Sequence, residues 1–327
     1  MSALTVAVLV SSGVHAEIVA KLGHGMPASH PQAVAMEKFA ELVGQYTNGS
    51  VKVNVFHGAM LGSDEKQMQA TQSGIQEFYM GILSPLSTRV KEIQVWDLPF
   101  MFSNTEEVTR IMNGRIGQAI FDKIEPAGLV GLSWTGIGFR DLSNSVRPVI
   151  KADDIKGLKI RVMSNPIALE TWKALGANAT PMAYSEVFTA LEIKAIDGQE
   201  NPLVHMYANK MQEVQKYISL TNHVYTSAAL AASQRFWAKL GDVDKQGIEK
   251  AAKEAAVYQR QLLEKADKDV IEKFRQEGIE VDEIAPEELA KIRERTKPVV
   301  DKFAPDIGKS FIEELNVELA KIRKGAN

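Results

Sequence analysis

No cysteine occurs among the 327 residues of the chain. This absence excludes disulfide bonds, thiolate nucleophiles, cysteine-ligated zinc and iron–sulfur clusters. It also suits a protein that is exported into an oxidising compartment. An excess of charge of one sign is lacking as well, because 38 basic residues stand against 41 acidic ones and the formal net charge is -3. The sequence therefore gives no electrostatic reason to expect binding to nucleic acid.

Long hydrophobic runs are also missing. No segment approaches the roughly 18 consecutive apolar residues that a membrane-spanning helix needs. Residues 1–16 carry no charged side chain, contain an apolar run from Leu4 to Val10 and end on Val14-His15-Ala16. A short apolar segment followed by small residues is typical of a secretory signal, although the usual positively charged start is missing. We predict that residues 1–16 are an export signal; the alternative is a buried N-terminal strand.

The motifs that mark many enzymes are absent from the chain. We find no glycine-rich nucleotide-binding loop after a strand, no H-E-x-x-H zinc motif and no G-x-S-x-G nucleophile turn. The six histidines have no close metal-ligand spacing. Glu186, Glu192 and Glu200 are expected to cap helices or face solvent rather than form an acid–base pair. We therefore predict no catalytic residue, no metal site and no cofactor.

What the chain does contain is an alternation of strands and helices. At about 150 residues per domain, its length indicates two domains. Strands are predicted near residues 19–23, 51–55 and 78–83, with helices beginning near Pro31 and Ser63 between them. This order predicts an α/β domain with a largely parallel sheet. A second block repeats the alternation, from a strand at 157–162 to a strand near 195–199, with helices near 166–175 and 184–191 between them.

A long helix is predicted between Gly247 and Gly278, because the 30 intervening residues include neither glycine nor proline. Thirty helical residues span about 45 Å, which exceeds the roughly 30 Å diameter of a small domain. We expect this helix to cross from one domain to the other, and the alternative is a hairpin packed on one domain. Two amphipathic helices, near 286–302 and 308–323, end the chain.

A series of short motifs follows along most of the chain. In order they are Leu61-Gly62, Asp97-Leu98-Pro99-Phe100, Arg140 with Leu142-Ser143-Asn144, Gly157-Leu158-Lys159-Ile160-Arg161-Val162, the stretches 181–191 and 196–202, and Glu213-Val214-Gln215-Lys216-Tyr217. Their order resembles that in the solute receptors of TRAP (tripartite ATP-independent periplasmic) transporters. Residues 96–102 and 206–211 are most similar to the DctP-like branch, which includes C4-dicarboxylate receptors.

This resemblance implies an α/β, two-lobed, periplasmic-binding-protein-like fold with a long interdomain helix and a ligand cleft between the lobes. We assign residues 17–137 plus 227–266 to lobe I and residues 138–226 plus 267–327 to lobe II. The implied function is a periplasmic receptor that binds a small organic carboxylate, closes by hinge motion and delivers the ligand to TRAP membrane permease subunits. The receptor is expected to be a monomer.

The resemblance also implies a set of ligand-binding residues. Arg161, at the matching position, is the implied carboxylate clamp, and its planar guanidinium suits this role because it donates two parallel hydrogen bonds. Arg140 is implied as a second basic residue, Asn201 as a polar group at a strand end, and Tyr184 as a wall of the cleft. Asn165 either joins the site or caps the helix that follows. The alternatives are a surface ion pair for Arg140, a turn for Asn201 and helix packing for Tyr184.

Lobe I departs from part of the family, because no charged residue follows the strand at 78–83 before Arg89. Its half of the pocket is therefore expected to be apolar with hydroxyls. His24 or His30 is the nearest polar candidate there, and partly exposed loop residues are the alternative for both. This favours one ligand carboxylate, as in a hydroxy, keto, aromatic or sugar acid. Two other functions stay open, namely an enzyme acting on an organic acid in the same cleft and a ligand-sensing subunit of a signalling system.

Overall fold

The computed structural model describes residues 17–325. The predicted export signal, residues 1–16, lies outside the described residues. Within this range the chain forms ten strands, all joined in one sheet. The strands are β1 (Ile18–Gly23), β2 (Val51–Phe56), β3 (Phe78–Gly81), β4 (Leu129–Asn144), β5 (Lys159–Val162), β6 (Asn178–Pro181), β7 (Gly198–Pro202), β8 (Tyr217–Leu220), β9 (Tyr225–Ser233) and β10 (Glu280–Glu283).

Helices connect these strands and cover the sheet. They are α1 (Pro31–Tyr46), α2 (Asp64–Ser73), α3 (Thr105–Met112), α4 (Arg115–Ile124), α5 (Pro166–Ala174), α6 (Val187–Glu192), α7 (Leu203–Ala208), α8 (Gln234–Trp237), α9 (Asp242–Gln276), α10 (Pro286–Ile307) and α11 (Lys309–Arg323). None of the helices in the described range combines the length and the apolar character needed to cross a bilayer.

The sheet is mixed, whereas the sequence predicted a largely parallel one. Its strand order is β2-β1-β3-β9-β4-β7-β5-β6, with β8 paired to β4 and β10 to β8. The predicted βα units do pair in parallel, since β1 adjoins β2 and β3 while β5 adjoins β6 and β7. The long strands β4 and β9 pair antiparallel with each other and with the parallel strands beside them. They separate the sheet into two parallel halves.

Strand β4 runs through both halves of the sheet. Its residues up to Phe139 pair with β9, and its residues from Arg140 onward pair with β7. The register shifts between Gly136 and Gly138, which marks an irregularity of the kind that bends a strand. A Cβ atom at Gly136 would overlap the hydroxyl of Tyr225, so this crossing needs a residue without a side chain. Arg140 therefore stands where the chain passes from one half to the other.

Helix α9 confirms the predicted long helix and extends it. It has 35 residues, which correspond to about 52 Å at 1.5 Å per residue. It packs against α1 of the first half and against α7 and β10 of the second half. Gly247 lies inside the helix instead of preceding it. A Cβ at this position would lie 2.9 Å from the carbonyl oxygen of Tyr46. The glycine thus permits the close approach of α9 to the end of α1.

Each half of the sheet has its own apolar cores. In the first half Leu22, Phe39 and Phe78 pack together with alanines of α9. In the second half Ile160 and Trp172 belong to a separate buried cluster. Burial of these side chains stabilises each half by about 25 cal/mol for every Å² of apolar surface removed from water. A further apolar cluster joins the halves, since it includes Tyr79 of β3 and Ile167 of α5.

Candidate ligand-binding site

A cavity lies between the two halves of the sheet, beside the crossing of β4. The space open to the centre of a water-sized sphere is about 40 Å³, within about 460 Å³ of empty space that includes open solvent. Its lining from the first half and from the crossing strands consists of Gly25, Met26, Gln32, Asp64, Gly81, Ile82, Ile137, Arg140 and Thr226. The second half contributes Arg161, Met163, Tyr184, Asn201 and His205. The structure thus brings four of the seven predicted site residues to one cavity, namely Arg161, Arg140, Asn201 and Tyr184.

Arg161 reaches the cavity from β5. The exposed Lys159 and the buried Arg161 lie two residues apart on this strand. Nε and Nη2 of Arg161 donate to the carbonyl oxygen of Met182 at 2.9 and 2.6 Å. Burial, with a further contribution from the charge of Arg140, lowers the pKa of Arg161 to about 10, so the group stays charged at neutral pH. Nη1 has no hydrogen-bond partner within residues 17–325, which leaves a charged donor available at the cavity.

Arg140 forms a buried ion pair instead of the surface pair that was its alternative. The side chains of Arg140 and Glu200 are each 2% exposed. Nε and Nη2 of Arg140 donate to the Glu200 carboxylate, and Nη1 donates to the Thr226 hydroxyl at 2.8 Å. Burial by itself would raise the pKa of Glu200, but the charge of Arg140 and the hydrogen bond with His223 outweigh it and lower the pKa to about 2. The prediction that Glu200 caps a helix or faces solvent is therefore wrong.

Asn201 and Tyr184 line the cavity beside these arginines. Asn201 is 4% exposed, and its Nδ2 donates to Oε1 of Gln199 on the same strand. The ring centre of Tyr184 lies 5.8 Å from Cζ of Arg161. Burial raises the pKa of Tyr184 well above its usual range, so the hydroxyl stays protonated. Both side chains line the same cavity as Arg161.

Three polar atoms at the cavity lack a hydrogen-bond partner in the described part of the chain. They are the hydroxyl of Tyr184, Nδ1 of His205 and Oε1 of Gln32. Burial lowers the pKa of His205 well below its usual value, so the imidazole is neutral. Its ring lies 4.7 Å from that of Tyr184. Because buried polar groups almost always have partners, these atoms indicate where a bound molecule completes the site.

The first half of the sheet supplies a charged residue that the sequence prediction missed. Asp64 is the first residue of α2, after the N-cap Ser63. Its Oδ1 accepts a hydrogen bond from the hydroxyl of Tyr79 at 2.9 Å. Burial raises the pKa of Asp64 to about 6, although the Tyr79 hydrogen bond and the charge of Arg161 oppose this shift. The expectation of an apolar pocket half with hydroxyls is therefore wrong. In the sequence Asp64 has the pattern of an ordinary acidic residue in a first helical turn.

His24, His30 and Asn165 are buried close to the cavity but do not belong to its lining. Oδ1 of Asn165 accepts from the Ala168 amide at 2.8 Å, so this residue caps α5. Nδ1 of His30 accepts from the Gln32 amide at 3.0 Å and caps α1. The two histidines are fully buried, unlike the partly exposed loop residues that were the alternative. Burial lowers the pKa of His24 to about 3 and that of His30 to about 4.

Gly81 ends β3 at the cavity wall. A Cβ at this position would overlap the Tyr79 hydroxyl and lie 2.9 Å from Oδ1 of Asp64. We predict that Gly81→Ala lowers the free energy of unfolding by about 1–3 kcal/mol, as overpacking does, and weakens ligand binding at least tenfold. Urea unfolding and calorimetry measure the two effects. Gly44→Ala is the control, because the space beside Gly44 on α1 is open. Wild-type stability of Gly81→Ala would contradict the close approach.

Comparison with known proteins places the chain among solute receptors. Residues 22–306 match the family described as bacterial extracellular solute-binding protein, family 7. The C4-dicarboxylate-binding periplasmic protein DctP of Rhodobacter capsulatus is 32% identical over 308 residues, which cover 93% of this chain and 92% of that protein.

Two solved structures extend the comparison. The sugar acid binding protein DctPAm of Advenella mimigardefordensis, in complex with galactonate, matches with a TM-score of 0.91 and 36% identity over 94% of this chain and 99% of that one. A TRAP periplasmic solute binding protein of Polaromonas sp JS666, bound to D-erythronate, matches with a TM-score of 0.88 and 34% identity over 91% and 98% of the two chains.

A cavity between two α/β halves and a buried, charged arginine at its wall define a solute receptor that encloses an acidic ligand. The chain belongs to the DctP family of bacterial extracellular solute-binding proteins, and it is a periplasmic receptor of the TRAP type. Proteins of this family bind small acids and work with a membrane permease. The family, the fold class and the periplasmic location that the sequence predicted are confirmed.

Proposed function

We propose that this receptor captures a small organic acid through Arg161 and passes it unchanged to a TRAP permease. The observation that carries the proposal is the state of the Arg161 guanidinium, which is buried, charged and held by the Met182 carbonyl with Nη1 open to the cavity. A carboxylate enclosed there forms charge-assisted hydrogen bonds, which are about twice as strong as neutral ones. The acids bound by the two solved relatives support the same ligand class.

The remaining residues at the cavity divide into contacts and support. Tyr184 and Asn201 flank Arg161 and contact the body of the ligand. Arg140 is already neutralised by Glu200, so it holds the strand crossing together and leaves the ligand carboxylate to Arg161. Asn165, His24 and His30 act through the backbone amides that they cap, because they position the segments that line the cavity.

The lobe boundaries predicted from the sequence are kept as part of this proposal, with lobe I at 17–137 plus 227–266 and lobe II at 138–226 plus 267–327. The change of partner along β4 beside Arg140 and the span of α9 support them. Ligand contacts from both lobes, such as Asp64 and Arg161, are complete only when the lobes close. A ligand shifts an opening equilibrium only through such differential contacts.

We infer further that the receptor acts as a monomer and carries out no reaction on its ligand. The receptor role of the family supports the second inference. Incubation with a stabilising acid, followed by denaturation and NMR of the released ligand, separates this proposal from an enzyme acting in the same cleft. Recovery of intact acid is expected, and turnover would contradict it. Size-exclusion chromatography with light scattering tests the monomer.

A thermal-shift screen of organic acids against residues 17–327 tests the ligand class. A single-site ligand present at 100 times its Kd adds about 2.7 kcal/mol to the free energy of unfolding, which gives a clear rise in the unfolding midpoint. We expect stabilisation by hydroxylated acids such as erythronate and galactonate. Their alcohols, erythritol and galactitol, are the controls, because they lack the carboxylate and are expected to have no effect. Equal stabilisation by acid and alcohol would contradict the role of Arg161.

A further inference from the structure

We propose that Asp64 makes this receptor select hydroxylated monocarboxylates and reject dicarboxylates of the same length. The inference rests on the proposed role of Arg161 as the carboxylate clamp. Asp64 lies on α2 and Arg161 on β5, in different halves of the sheet, and both line the one cavity. A ligand whose carboxylate is held by Arg161 therefore extends toward a second, negatively charged wall.

The hydrogen bonds of Asp64 leave one of its oxygens for the ligand. Oδ1 accepts from the buried Tyr79 hydroxyl, while no described residue donates to Oδ2. A ligand hydroxyl donates to such an oxygen, whereas an ionised carboxylate has no proton to donate. Asp64 therefore attracts a hydroxyl group and repels a carboxylate at the same position.

One of the other unpartnered atoms at the cavity has the same preference. Nε2 of Gln32 faces the Met80 carbonyl at 3.4 Å, which identifies the free Oε1 as an acceptor. Nδ1 of the neutral His205 and the hydroxyl of Tyr184 are also free, and each can either donate or accept. Acceptors without a donor, on Asp64 and Gln32, require donors from the bound molecule. A chain of hydroxyl groups supplies such donors.

The charges at the cavity leave no cation for a second carboxylate. Among the described lining residues the charged ones are Asp64, Arg140 and Arg161. Arg140 is neutralised by Glu200, so Arg161 and Asp64 remain as the only other charged pair across the cavity. A second ligand carboxylate would place an uncompensated negative charge near Asp64, in surroundings of low dielectric where like charges repel strongly.

Two pairs of acids test the inference, because the members of each pair differ only at the end of the chain. Erythronate and galactonate end in a CH2OH group. In their partners, meso-tartrate and galactarate respectively, a carboxylate replaces that group. For each pair with measurable binding, we expect calorimetry to give a Kd at least tenfold lower for the monocarboxylate than for the dicarboxylate. In the Asp64→Asn variant this ratio of the two Kd values should fall below threefold. Glu41→Gln is the control, because it removes a negative charge from an exposed position on α1, in the same half of the sheet but outside the cavity lining, and should keep the wild-type ratio.

Each outcome of this test decides one proposal. Equal or tighter binding of the dicarboxylates by the wild-type protein would overturn the role of Asp64 while leaving the Arg161 clamp intact. An unchanged ratio in folded Asp64→Asn would do the same. Absence of binding by all four acids, and by every acid in the thermal screen, would overturn the proposed function itself.

A measurement on the wild-type protein makes the test independent of whether Asp64→Asn folds. Because burial raises the pKa of Asp64 to about 6, a shift from pH 7.5 to pH 5 protonates it and should reduce the preference for the monocarboxylate severalfold. The groups that face it are Glu65 on α2, Tyr79 on β3, Arg161 on β5, Tyr184 before α6 and His205 on α7. The pKa values of both tyrosines are raised, that of Arg161 is about 10 and that of His205 is far below 6.5. The two tyrosines, Arg161 and His205 therefore do not titrate between pH 7.5 and pH 5. A preference that stays constant across this interval would contradict the inference.

Discussion

Arg161→Ala is expected to weaken binding of the acid that most stabilises the wild-type protein about 10- to 150-fold. This range corresponds to the roughly 1.5–3 kcal/mol that a hydrogen bond to a charged group contributes. The loss is large because, among the described residues that line the cavity, Arg161 is the one cation whose charge is not already neutralised by a buried carboxylate. Isothermal titration calorimetry of both proteins at neutral pH measures the change.

Two further variants separate the clamp from a general effect of charge. Lys159→Ala removes a positive charge from the same strand, but its side chain is exposed and lies outside the cavity lining, so affinity should stay within twofold of wild type. Arg161→Lys keeps the charge but cannot both hold the Met182 carbonyl with two donors and reach the ligand. It should fall between wild type and Arg161→Ala. Unchanged affinity in a folded Arg161→Ala protein would rule out the clamp.

Glu200→Gln is expected to lower the free energy of unfolding by about 3–5 kcal/mol, because it leaves the charge of Arg140 buried without a counter-ion. The pair is almost fully enclosed, and it stands where β4 passes between the two halves. The variant retains the hydrogen bond from Arg140 to Thr226, so the loss reports mainly on the unpaired charge. Urea unfolding followed by circular dichroism measures it.

An exposed ion pair provides the matched control for this prediction. Glu264→Gln makes the same chemical change in the pair with Lys268 on α9, where both side chains are largely exposed. Exposed pairs contribute about 0–1 kcal/mol, so this variant should unfold almost as the wild type does. The double variant Arg140→Met/Glu200→Leu should recover much of the stability, because apolar side chains remove the desolvation cost of both charges. A Glu200→Gln protein as stable as Glu264→Gln would refute the buried-pair account.

Most elements of secondary structure could be predicted from local patterns. The alternation of Val51, Val53 and Val55, and the capping residues Ser63 and Asn165, mark strand and helix ends within a few residues of those observed. Prediction was weaker near Tyr184, where a 3-10 turn at Tyr184–Glu186 precedes α6. The direction of strand pairing was missed as well, because local periodicity does not tell a parallel neighbour from an antiparallel one.

Residues of the site could be predicted from the sequence only where they belong to a recognisable motif. Arg161, Arg140, Asn201 and Tyr184 stand in the motifs that resemble the family, and all four line the cavity. Asp64 has no such signal, because an acid in the first turn of a helix is common for reasons of helix electrostatics alone. The same holds for Gln32 and His205, whose free polar atoms become informative only once their burial is known.

The family, the two blocks of alternating strands and helices, the presence of a long helix in the region of α9 and the exclusion of cysteine chemistry all follow from the sequence alone. Local periodicity, capping and short motifs are sufficient for these, because each depends on residues close together in the chain. Only the folded chain shows that Arg140 is neutralised by Glu200, 60 residues away, while Arg161 stays available opposite Asp64. Charge–charge energies depend on distance and on the local dielectric, and both are set by how β4 brings the two halves of the sheet together.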